Sequence, residues 1–175
     1  MFLITVLGAG NLLLGDDGAG PRVIEELSKY PLPGNVTVTE AGRSFIQHWD
    51  AFQRSKHVII VDTVQGGGPP GTIYILSRRE ITRSAGCGTL GHEDDLPGVI
   101  DLLARFNIKP EVTIVGIEPG EIKFSLELSP AISARLPCLT KTVYKLCLRL
   151  SLAAAGDASN PSKTQEAGID KPVLI

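Results

Sequence analysis

Histidine is scarce in this sequence: three residues, at positions 48, 57 and 92. Their spacing allows no His-Glu-x-x-His zinc helix, and no Gly-x-Ser-x-Gly elbow occurs, so the common hydrolase designs are not signalled. Cysteine is equally sparse. Cys87, Cys138 and Cys147 form no Cys-x-x-Cys pair and leave an odd thiol over, which reads as a reduced, cytoplasmic protein. No apolar run approaches the ~20 residues that span a bilayer. The apolar start, Phe2 to Leu7, lacks a basic leader and reads as a strand rather than a secretion signal. A net charge of −2 gives no electrostatic reason to expect nucleic acid or an anionic membrane as partner.

What remains has the composition of an ordinary globular protein, with 43% apolar and 21% charged residues, and a length that buries one substantial core. A single α/β domain is expected over residues 1–155. From Gly156 the sequence loses periodicity and turns to Asp, Ser, Asn, Pro and Lys, so 156–175 is expected to be a mobile or disordered tail. No internal repeats occur.

The chain is organised around Val6 to Gly20, an apolar run that breaks into a glycine-rich turn carrying Asn11, Asp16 and Asp17. Pro21 suits a first helical turn, and Val23, Ile24, Leu27 and Tyr30 share one apolar face of a helix that Pro31 ends. Asn35 to Glu40 alternates as a strand, and Phe45 to Phe52 has the pattern of a short amphipathic helix. His57-Val-Ile-Ile-Val-Asp62 is a buried strand ending on a carboxylate. Gly66 to Gly71 then leads straight into Thr72 to Leu76. Parallel neighbours need a crossover of roughly a dozen residues, so this strand is expected to run antiparallel at a sheet edge. Arg78 to Gly91 reads as a loop, a helix is expected from about Asp94 with Pro97 in its first turn, and Glu111 to Gly116 is the last strand. Ser129-Pro130 opens a long final helix to about Ala155, which Pro137 is expected to kink or divide. This order predicts a three-layer α/β/α sandwich with a mainly parallel, twisted five-stranded sheet carrying one antiparallel edge strand.

Ligands gather beyond the carboxyl ends of the strands in such sheets. Asp17 follows the first strand, Asp62 ends the third, and His92 precedes a helix on the same rim. Two carboxylates and an imidazole suit nickel or zinc and leave coordination positions open. Each residue also has a plain reading: Asp17 as a helix cap, Asp62 as a cap of the following turn, His92 as a surface residue. Asp16 and Asn11 read as structural parts of the glycine turn. Cys87 reads as a bystander, Cys138 and Cys147 as core, and His48 and His57 have no constellation around them. A dinucleotide site is the alternative for Gly8-x-Gly10, with Glu40 ending the next strand. Its third glycine is replaced by Leu13, and two aspartates sit where a pyrophosphate would rest.

Gly8-Ala-Gly-Asn11 with Leu-Leu-Leu-Gly-Asp-Asp-Gly18 resembles the opening motif of the nickel–iron hydrogenase maturation endopeptidases. Three further blocks follow in that family's order: His57 to Asp62 with Pro70-Gly-Thr-Ile-Tyr74, then Gly91-His92, then Val112 to Pro119 with Leu128-Ser-Pro130. The resemblance implies an endopeptidase that trims a C-terminal extension from a hydrogenase large-subunit precursor after nickel insertion. It assigns both catalytic and metal contact to Asp17, Asp62 and His92. The nickel is carried by the substrate, and the enzyme itself is expected to be a cytoplasmic monomer. The family commonly has glutamate where Asp17 stands, and threonine in the turn that here carries Arg43. A nickel-binding chaperone or sensor using the same three residues is the non-enzymatic alternative.

Overall fold

A computed structural model describes residues 2–77, 80 and 96–158. Five strands form one sheet: β1 (Leu3–Ala9), β2 (Val36–Gly42), β3 (Ser55–Thr63), β4 (Ile73–Ser77) and β5 (Glu111–Ile117). Their order across the sheet is β2-β1-β3-β5-β4. The first four in that order run parallel, and β4 lies antiparallel against β5 at the edge. The short glycine-rich link before β4 leaves no room for a crossover helix, which is why that strand reverses direction.

Helices α1 (Ala19–Leu27) and α4 (Pro130–Ala158) cover one face, and α2 (Trp49–Arg54) and α3 (Leu96–Arg105) cover the other. The near-continuous apolar runs follow from this burial on both sides. Along β3, Ile59 and Val61 join the α1/α4 core, while Val58 and Ile60 join the α2/α3 core. Helix α1 lies very close to the sheet because of Gly20. A Cβ there would stand 2.1 Å from the Ala9 carbonyl oxygen and 2.5 Å from that of Val61. Fold class and topology thus match the expected three-layer sandwich.

Local departures have local causes. Phe45–His48 forms a 3₁₀ turn and only Trp49–Arg54 is α-helical, although the predicted face still packs inward through Phe45 and Phe52. Helix α1 ends at Leu27, and residues 28–30 close with turn hydrogen bonds before Pro31. Helix α4 runs undivided through Pro137 and continues to Ala158, beyond the expected end, carried by Ala153-Ala-Ala155. Ser129 caps it as expected, its Oγ accepting the Ile132 N–H at 3.5 Å. The rest of the expected tail, 159–175, and the segment 81–95 with Cys87 and His92 lie outside the described residues. Among the described residues no helix is long and apolar enough to cross a membrane.

Candidate active site

The crossovers from β1 to β2 and from β2 to β3 use helices on opposite faces, so the sheet's winding switches at the β1/β3 boundary. Crevices in doubly wound sheets form at that place, beyond the carboxyl ends of the strands. The glycine turn after β1 and the end of β3 meet there.

Within the turn, each polar residue has a distinct task. Asn11 Oδ1 accepts the Leu13 N–H at 2.9 Å, an Asx turn that fixes the loop through its side-chain amide. Gly10 has φ +123°, and a Cβ there would overlap the Asp17 carbonyl oxygen at 1.8 Å. Asp16 is fully buried. Its Oδ2 accepts the N–H groups of Gly120 and Glu121, each at 2.8 Å, and its Oδ1 accepts that of Ser129 at 2.6 Å. It therefore staples the segment between β5 and α4 to the glycine turn, a longer reach than the local turn contacts expected of it.

Asp17 does not cap α1 with its side chain. Its Oδ2 turns back to accept the Asn11 N–H at 2.9 Å, and its Oδ1 accepts from the Thr63 hydroxyl at 3.4 Å. Thr63 directly follows Asp62, whose Oδ1 accepts the Thr63 N–H at 2.7 Å. The structure thus brings Asp17 and Asp62 to one spot across adjacent strands. The Asp62 carboxyl is pushed from its ordinary 3.8 up to about 7, first by burial and further by the Asp17 charge; the Thr63 N–H and the Arg43 charge oppose this. Two carboxylates close enough for one to raise the pKa of the other favour a proton or a cation, and carboxylate oxygens suit a divalent ion.

His92, the third expected ligand, lies outside the described residues. Among those described, no three His, Cys, Asp or Glu side chains gather as a metal-holding group. His57 is at the opposite end of β3, half-buried with its ring 5.1 Å from that of Phe2, and burial lowers its pKa. His48 ends the 3₁₀ turn. Cys147 is buried in the core and its thiol is pushed up to about 12 by burial, whereas Cys138 is only partly buried.

A cavity of ≈ 670 Å³ is lined by Gln65, Gly66, Gly67, Glu118, Pro119, Gly120 and Ile122. Neither Asp17 nor Asp62 lines it; Gln65 lies three residues beyond Asp62, and Gly120 is held by Asp16. Glu118 is the residue that sequence reasoning missed. It is buried at the end of β5, and its Oε2 accepts the Gly66 N–H at 2.7 Å, the Gly68 N–H at 3.3 Å and the Tyr74 hydroxyl at 2.7 Å. An acid ending a buried strand was the available signal, the same one that singled out Asp62.

The family model described as hydrogenase maturation protease matches residues 21–146. The chain belongs to the hydrogenase maturation protease family. It is 30% identical over 148 residues to the hydrogenase 2 maturation protease of Escherichia coli, covering 82% of this chain and 90% of that one. It is 32% identical over 159 residues to a hydrogenase expression/formation protein, HoxM, of Azotobacter vinelandii, covering 88% of this chain and 77% of that one. The hydrogenase maturating endopeptidase HybD of E. coli superposes with a TM-score of 0.78 at 29% identity, over 86% of this chain and 94% of that structure. A maturation protease is an endopeptidase that processes hydrogenase, which removes the dinucleotide and chaperone alternatives. In chain order the helix that would receive a pyrophosphate follows directly on Asp16 and Asp17.

Proposed function

We propose that this protease removes the C-terminal extension of a nickel-loaded hydrogenase large-subunit precursor, and that Asp17, Asp62 and His92 contact the nickel carried by that substrate. The observation that carries the reading is the pairing of Asp17 with Asp62 at the β1/β3 switch, where burial and mutual repulsion favour an incoming cation. Helix α3 hands the chain to the amino end of β5, so that helix starts toward the carboxyl rim, and in sequence His92 comes four residues before it. In this reading the nickel reports correct loading and fixes the scissile peptide near the carboxylates. A carboxylate then positions the attacking water, and docking geometry supplies much of the rate. The enzyme acts as a monomer in the cytoplasm and needs no resident cofactor.

The test is processing of nickel-loaded precursor by Asp62→Asn and His92→Ala, followed by mass spectrometry of the precursor's C-terminus. Both variants are expected to fold and to leave the precursor uncut. Cleavage retained by both would remove the site assignment.

A further inference from the structure

The segment joining β5 to α4 carries an exposed large apolar side chain at every second position from 122 to 126. Phe124 is 83% exposed, Leu126 64% and Ile122 47%. Leu12 and Leu13 of the glycine turn are exposed beside it. The two stretches are joined by a parallel bridge at Leu14 and Ser125: the Gly15 N–H donates to the Ser125 carbonyl at 2.8 Å, and the Ser125 N–H to the Leu13 carbonyl at 3.0 Å. Arg22 adds a hydrogen bond from α1 to the Leu126 carbonyl. With Asp16 holding Gly120, Glu121 and Ser129, this apolar surface is rigidly presented rather than loosely draped.

Such a surface contributes nothing to the protein's own core. It exposes on the order of 500 Å² in one place, within the range where an exposed patch is often functional. Of the charges beside it, Glu121 and Lys123 are paired with each other, the Arg22 guanidinium meets the Leu126 carbonyl, and Glu127 follows Leu126, so charges of both signs border the apolar surface.

We propose that this rim is where the hydrogenase large-subunit precursor docks, through an apolar surface beside its C-terminal extension; this rests on the function proposed above. The occupant follows from continuity with the site: Ile122 belongs both to the rim and to the cavity wall, and the rim's turn carries Asp17. A protein whose chain enters that cavity past Ile122 lies against this rim. The area argues against a second copy, because a stable interface takes about 800 Å² from each partner. A smaller, rigid, apolar patch suits a substrate that must leave after cleavage, and its exposed aromatic is the residue type that most often dominates binding energy.

The test uses Phe124→Ser/Leu126→Ser, with Leu152→Ser as control; Leu152 is also exposed but lies near the far end of α4, over 20 residues from its start at Pro130. Binding of nickel-loaded precursor is measured by calorimetry, cleavage by KM and kcat, and self-association by sedimentation. The rim variant is expected to raise Kd and KM about tenfold or more, while the control stays within about twofold of wild type. Unchanged Kd and KM in the rim variant would overturn the proposal. So would a wild-type dimer that the rim substitutions dissociate, since the face would then be covered by a second copy. Should the double variant unfold, Leu13→Ser on the neighbouring stretch carries the same test. Wild type that binds precursor but never cuts it would defeat the function reading alone, because Kd still reports docking.

Discussion

Replacing Asp62 by Asn separates the cost of the site from its use. The carboxyl has a pKa of about 7 in the folded chain against an ordinary 3.8, so the native state holds a proton that the unfolded state releases between these values. Stability is therefore fully present below about pH 4, falls as pH rises, and levels off above about pH 7. A shift of this size corresponds to a ceiling of about 4 kcal/mol, and solvent reaching the part-exposed rim reduces the measurable part to about 2 kcal/mol. Asn keeps the shape and an oxygen for the Thr63 N–H but carries no titrating charge. Urea unfolding in chelator-containing buffer, at pH values on both sides of this window, is expected to show wild type losing stability relative to Asp62→Asn as pH rises. Above pH 7 the variant is expected to be the more stable protein and, on the proposed function, to leave precursor uncut. A stability difference that stays flat with pH would refute the buried-pair reasoning, as would one that changes in the opposite direction.

Asp16→Ala leaves the N–H groups of Gly120, Glu121 and Ser129 without their acceptor, and a loss of about 3 kcal/mol in denaturant unfolding is expected. Gly20→Ala drives a methyl into the Ala9 and Val61 carbonyl oxygens, so soluble expression and the cooperative transition should both be lost. Tyr74→Phe removes the hydroxyl shared by Glu118 and the Gly68 N–H; a loss of about 1 kcal/mol is expected, with faster amide exchange at Gly66 and Gly68. Asp17→Asn removes the charge that raises the Asp62 pKa, so the pH window of the stability loss should move to lower pH without vanishing, because burial is the larger cause.

The elements carried by strong periodicity were legible residue by residue. Val58 to Val61 reads as a doubly covered strand because alternate side chains enter two different cores, and the glycines of 66–71 announce the antiparallel edge by leaving no length for a helix. Phe45 to Phe52 was only half legible, since an apolar face at helical spacing does not distinguish a 3₁₀ turn from an α-turn. The undivided course of α4 through Pro137 depends on packing against the sheet and α1, which outweighs one missing backbone donor.

Legibility at the site followed the same logic. Asp17 and Asp62 stand out locally, as acids after glycine and at a strand end, and the sheet order brings them together. Glu118 carried only the weak signal of an acid at a strand end, and the reach of Asp16 to Ser129 left none, because its partners are backbone N–H groups far along the chain. The apolar rim carried no signal of its own: Ile122, Phe124 and Leu126 fall between the last strand and the final helix, and only their exposure marks them.

The central claim is that nickel carried by the substrate, met by Asp17, Asp62 and His92, licenses the cut. Its most direct test is the C-terminal mass of a hydrogenase large-subunit precursor incubated with this protease, with and without nickel in the precursor. Loss of the extension only from the nickel-loaded form is the predicted result. Equal trimming of both forms, or of neither, would contradict it.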